Sequence, residues 1–232
     1  MLCLALAVAG CSLTDQTPVY RYRLTVEVDT PDGVKTGSSV IEVDTEVAGG
    51  YSIPTPGRVT NRVRGEAVTV DLGEGRVLFA LLRSEADIDW AGRVMYRLSP
   101  QYAGENALRD GYRNMLRHRP ERTVPRHFSR ADQVNKRSAY PMLVTFGDLD
   151  DPASVERVDP DDLAATFGEG VRLKRITVQV TDDPVTSGIG QRLGWLNRTK
   201  GTLLSRPRDT PIGQLPIEYQ VGKISFVRSD GQ

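Results

Sequence analysis

The sequence predicts an α+β fold, predominantly antiparallel β with two or three short helices. Three observations carry this. Residues 19–28 and 171–180 alternate apolar and polar side chains, the period of a half-buried strand. Other short apolar runs are separated by Pro, Gly and Asp turn signals. Only a few stretches carry helical spacing or helix punctuation. With 232 residues and 39% hydrophobic side chains, the chain has material for one domain with an ordinary core. Disorder, collagen, coiled coil and a disulfide mini-scaffold are excluded by the same figures. Thirty basic and thirty acidic residues cancel, so no global field draws the protein to nucleic acid.

Residues 1–10, Met-Leu-Cys-Leu-Ala-Leu-Ala-Val-Ala-Gly, are uncharged and apolar. They are too short for a membrane-spanning helix, which takes about 20 residues, and have the length of a signal-peptide hydrophobic region. They close with Val8-Ala9-Gly10-Cys11, and polar sequence starts at Ser12. Small residues let a chain extend into a peptidase groove, and a thiol is the nucleophile that takes a lipid. The run resembles the lipobox of bacterial lipoproteins. That resemblance implies cleavage after Gly10 and a diacylglycerol on Cys11, which becomes the first residue of the mature chain. Ser12 in place of Asp implies sorting to the outer membrane, so the expected location is the cell envelope, on the periplasmic face. One feature departs from the pattern: no basic stretch stands between Met1 and the apolar run. A buried strand or helix turn containing Cys11 is the alternative. Cys3 and Cys11 are the only cysteines, so processing would leave neither thiol nor disulfide.

Residues 12–18 read as a polar tether of at most roughly 25 Å. Residues 19–232 read as one domain: a β-meander over 19–97, a basic helical and loop insert over 98–138, and a second α/β half over 139–232. In the first strand Tyr20, Tyr22, Leu24, Val26 and Val28 face the core, and Arg21, Arg23, Thr25 and Glu27 face away. Thr30-Pro-Asp-Gly33 is a turn, and a partner strand follows over 38–47. Residues 48–65, with four Gly and two Pro, read as a loop. Residues 67–72 and 76–82 form a second hairpin, whose second strand is apolar on both faces and therefore central and covered twice. Residues 106–119 suit a helix with a stripe of Leu108, Tyr112, Met115 and Leu116. Strands are expected at 141–146, 171–180 and 221–227, with a brief helix within 187–196 and a loop over 197–216. Residues 158–168 suit a helix with Asp159 as N-cap, Pro160 in first position and Gly168 as stop.

The search for chemistry is short. Zinc, Walker and serine-hydrolase motifs are missing, and Gly188, Gly190 and Gly194 miss the dinucleotide spacing by one residue. Lys35-Thr36-Gly37 matches a box of penicillin-binding enzymes, but no SxxK nucleophile accompanies it. Asp148 and Asp150 suit the first two ligand positions of a calcium loop, but Pro152 blocks the third, so the run reads as a solvated loop. No catalytic residue, metal ligand or cofactor is assigned. His118 and His127 read as surface residues, and Trp90 and Trp195 as core or rim anchors.

Charge is distributed unevenly. Residues 109–137 hold nine Lys/Arg and three Asp/Glu, a net +6; residues 148–169 hold eight acids and Arg157, a net −7. Arg109, Arg113 and Arg117 recur every four residues, so a helix aligns them on one face. With Arg119, Arg122 and Arg126 they form a candidate anion-binding set. Mutual neutralisation of the two segments is the favoured explanation. Three functions follow: a non-catalytic envelope lipoprotein that binds or supports an envelope protein partner, a polyanion- or anionic-lipid-binding module using 109–137, and a periplasmic enzyme of unrecognised type. Residues 22–28 and 158–164 also resemble proteobacterial lipoproteins without an assigned activity, which implies no site residue.

Overall fold

The computed structural model describes residues 14–48, 58–100, 103, 107–204 and 215–229. In chain order the elements are β1 (Thr14–Gln16), β2 (Tyr20–Thr30), β3 (Gly33–Ala48), β4 (Val59–Glu66), β5 (Val68–Gly73), β6 (Arg76–Ala80), α1 (Trp90–Arg97), α2 (Ala107–Arg117), β7 (Arg122–Thr123), α3 (Arg130–Val134), β8 (Leu143–Phe146), β9 (Val155–Arg157), α4 (Ala164–Phe167), β10 (Arg172–Thr181), α5 (Ile189–Arg192), α6 (Lys223–Phe226) and β11 (Val227–Arg228). All pairings are antiparallel. The class is α+β and mostly antiparallel β, as the alternation predicts. The helical turns outnumber the two or three expected, but most span only four or five residues.

The larger sheet has the order β11-β4-β3-β2-β10-β7, with β1 also paired to β3. The smaller has the order β5-β6-β8-β9. The two sheets meet at Gly37. A Cβ built there would stand 2.1 Å from the backbone oxygen of Thr69, so only glycine permits this approach. That is what the Lys35-Thr36-Gly37 run does in this fold.

β2 carries Tyr22, Leu24, Val26 and Val28 fully buried, in the predicted register. They share one core with Val70 and Leu78 from the smaller sheet, Leu82 just past β6, Trp90 and Val94 from α1, and Tyr112 and Met115 from α2. The opposite face of the smaller sheet presents Phe79, Val144 and Phe146 to a second core, closed by Trp195 and Phe226. β6 is therefore central and covered on both faces, which explains its unbroken apolar run.

Several elements depart from the sequence reading. The segment expected as a tether is partly structured: β1 pairs with residues 46–48 of β3, and the Thr17 hydroxyl donates to the Thr45 carbonyl oxygen at 2.8 Å. Residues 58–65 are not loop, because β4 pairs with β3 there. Arg62 and Arg64 make this strand look polar; across the ladder they meet Glu46 at 2.9 Å and Glu42 at 2.7 Å. Residues 49–57 of that expected loop lie outside the described residues, as do Asn106 at the expected helix start and 205–214 of the expected loop over 197–216. Residues 90–97 leave the meander and form α1, and β5 begins a second sheet instead of extending the first.

The strand expected at 221–227 is mostly a helical turn, α6, followed by the short β11. Gly222 there approaches the Gly201 carbonyl oxygen too closely for any side chain, and the turn delivers Phe226 into the second core. The helix expected from Asp159 starts only at Ala164. Asp159 instead accepts the Asp161 N–H at 2.9 Å, and Asp162 accepts the Ala165 N–H at 3.1 Å. Gly168, with φ of 98°, ends the helix as predicted.

A cavity beside the basic segment

α2 buries Tyr112 and Met115 and leaves Arg113 and Arg117 exposed. Arg113 faces Asp110 one turn earlier, at 4.0 Å. Arg109 lies on the same face by helical spacing and is half-buried. The other three arginines serve the fold. Arg119 pairs with Asp182, Arg122 donates from Nη1 to the Leu98 carbonyl oxygen at 2.6 Å, and Arg126 forks onto Asp161. Of the mutual neutralisation expected between residues 109–137 and 148–169, Arg126–Asp161 is realised. Other acids of the run hold their own backbone turns: Asp148 accepts the Asp150 N–H, and Asp151 the Ala153 N–H. No group of three His, Cys, Asp or Glu side chains converges among the described residues.

Arg126 leads to a cavity of about 300 Å³. One wall comes from the polar segment after α3, with Lys136, Ser138 and Tyr140; the other comes from Arg157 at the end of β9 and Asp159 just after it. Met142, Leu143 and Val158 supply a buried apolar surface. The Arg126 guanidinium donates to Asp161 through Nε at 2.9 and 3.1 Å and through Nη2 at 2.7 Å, and it lies 5.5 Å from the Tyr140 ring centre. This two-pronged contact holds the Asp161 carboxyl below its ordinary range and raises the Arg126 pKa. Asp161 is mostly exposed, so the pair contributes at most about 1 kcal/mol. Burial pushes the Tyr140 phenol up. The third Arg126 nitrogen, Nη1, is buried and has no hydrogen-bond partner among the described residues. Arg157 pairs with Glu85 at 2.8 Å.

Lys136 stands in the left-handed region with φ of 54°. It occupies the position after the α3 C-cap that usually falls to glycine: its N–H donates to the Gln133 carbonyl oxygen, and the Arg137 N–H to that of Asp132. A lysine there costs about 1 kcal/mol relative to glycine. Its ammonium has no hydrogen-bond or ion-pair partner among the described residues. His127 is set by the same segment, its Nδ1–H donating to the Arg137 carbonyl oxygen at 2.8 Å.

Of the six arginines singled out in the sequence, Arg126 alone lines this cavity. Lys136, Ser138, Tyr140 and Arg157 join it through tertiary structure; the one local clue is a basic residue placed directly after a short polar helix. Cys11 lies outside the described residues. No family model, curated protein or solved structure matches this chain.

Proposed function

We propose that this protein is a lipid-anchored envelope lipoprotein whose body is a non-catalytic binding module on the periplasmic face of the outer membrane. The observation that carries the reading is Val8-Ala9-Gly10-Cys11 at the end of an uncharged apolar run. β1 starts at Thr14, which leaves at most about 11 Å of chain back to Cys11. An acylated Cys11 would hold the body close against the lipid surface. Acyl chains contribute about 0.8 kcal/mol per buried methylene, enough for stable anchoring when more than one chain inserts. Expressed in a bacterial host, wild type is expected in the detergent phase, with a mass showing loss of residues 1–10 and gain of lipid. Cys11→Ala is expected in the aqueous phase. Identical partitioning of both, with the N-terminus intact, refutes the anchor.

The exposed pair Arg113 and Arg117 supports a second reading, contact with anionic lipid. Each basic residue near such a surface contributes about 1 kcal/mol, screened over about 8 Å at physiological salt. Arg113→Gln with Arg117→Gln is expected to lower binding of the unlipidated Cys11→Ala chain to phosphatidylglycerol vesicles roughly tenfold, with the melting temperature unchanged. Unchanged vesicle binding refutes this contact.

A further inference from the structure

We infer that the cavity beside Tyr140 is a binding site for a small organic anion, a carboxylate or phosphate carried on an apolar group. The inference rests on the binding-module half of the proposed function and not on the anchor. At about 300 Å³ the cavity has the size at which small-molecule sites begin. Its three cationic residues, Arg126, Lys136 and Arg157, outnumber its two acids, Glu85 and Asp159. Among the described residues the Lys136 ammonium and the Tyr140 hydroxyl have no hydrogen-bond partner, and the Ser138 hydroxyl accepts the Tyr140 N–H and keeps its own hydrogen to donate. Of the two acids, Glu85 is paired with Arg157 at 2.8 Å, and Asp159 accepts the Asp161 N–H through one carboxylate oxygen. An acceptor-rich ligand is the complement of such a surface. Met142, Leu143 and Val158 give its apolar part a place to lie.

Two further observations point the same way. The Arg126 Nη1 is a buried, charged donor with no hydrogen-bond partner among the described residues, which folded proteins rarely tolerate without a reason. Lys136 keeps a left-handed backbone where glycine would be cheaper, and it is one of the residues that line this cavity. Fold stability alone does not account for a lysine at that position.

The test uses the full chain with Cys11→Ala, titrated with benzoate, phenyl phosphate and the neutral benzyl alcohol by calorimetry. At least one anion is expected to bind ten times or more tighter than benzyl alcohol, and the tighter of the two identifies the head group. Lys136→Gly is expected to melt at a higher temperature than its parent and to bind that anion at least tenfold more weakly. Arg157→Gln is expected to weaken it by a smaller factor. Equal binding of benzyl alcohol and the anions overturns the anion class while leaving a binding module. Failure of all three probes to bind overturns the small-anion site and leaves the binding-module reading standing. Unchanged anion binding by Lys136→Gly overturns the assignment to this cavity.

Discussion

Val26→Asp is expected to cost on the order of 5 kcal/mol, a large part of a typical domain's 5–15 kcal/mol. Val26 is fully buried on the central strand β2, opposite Ile176 of β10 and Gly37 of β3. Its neighbours on that face, Leu24, Val28 and Ile176, are apolar and fully buried, so a carboxylate there meets no polar partner among them. The acid would fold in its neutral form, with a pKa raised above its unfolded value. The penalty is therefore smallest below about pH 4, where both states are protonated. It grows by up to about 1.4 kcal/mol per pH unit above that, until the folded-state pKa is reached. Thr25→Asp points to the other face, beside Ser38 and Thr177, and is expected to cost roughly 1 kcal/mol. Urea midpoints at pH 5 and pH 8 check both statements. Equal midpoints for the two variants would refute the register of β2.

Trp90→Ala is expected to cost about 3–5 kcal/mol, through lost burial and the cavity left behind. Trp90 opens α1, is almost fully buried, and donates from its indole N–H to the Ala139 carbonyl oxygen at 2.8 Å. It thus joins the first half of the chain to the start of the second. Trp90→Phe keeps much of the packing but leaves that carbonyl unpaired, and is expected to cost about 1–3 kcal/mol. Trp195 reports from the other core, on the far face of the smaller sheet. If residues 19–232 are one cooperative unit, Trp195 fluorescence and far-ultraviolet circular dichroism will shift to the same lower midpoint in Trp90→Ala. An unshifted Trp195 transition would show two units that unfold separately.

β2, β10 and the doubly covered β6 were legible in the chain because their signals are local. A period of two over ten residues, or a solid apolar run between turns, needs no knowledge of the partner. The Gly168 stop was legible for the same reason. β4 was hidden because its arginines answer acids on β3 across the ladder, and the chain alone does not show which strand lies opposite. The strand expected at 221–227 had an apolar pattern that suits either structure. The close contact of Gly222 with Gly201 and the burial of Phe226 favoured a helical turn.

By itself the sequence determined the α+β class, the inward face of β2 and the lipobox resemblance at Cys11, each carried by neighbouring residues. It also placed Arg109, Arg113 and Arg117 on one helix face, through spacing alone. Tertiary structure decided the rest. Arg126 meets Asp161 across 35 residues of chain. Lys136 lines its cavity as a left-handed residue that the sequence does not mark as one. Gly37 is required by a Thr69 oxygen on another sheet. The physical reason is the same in each case. Periodicity and capping are written within a few residues, whereas ion pairs, cavities and sheet contacts depend on which distant segments share a boundary once the core has closed.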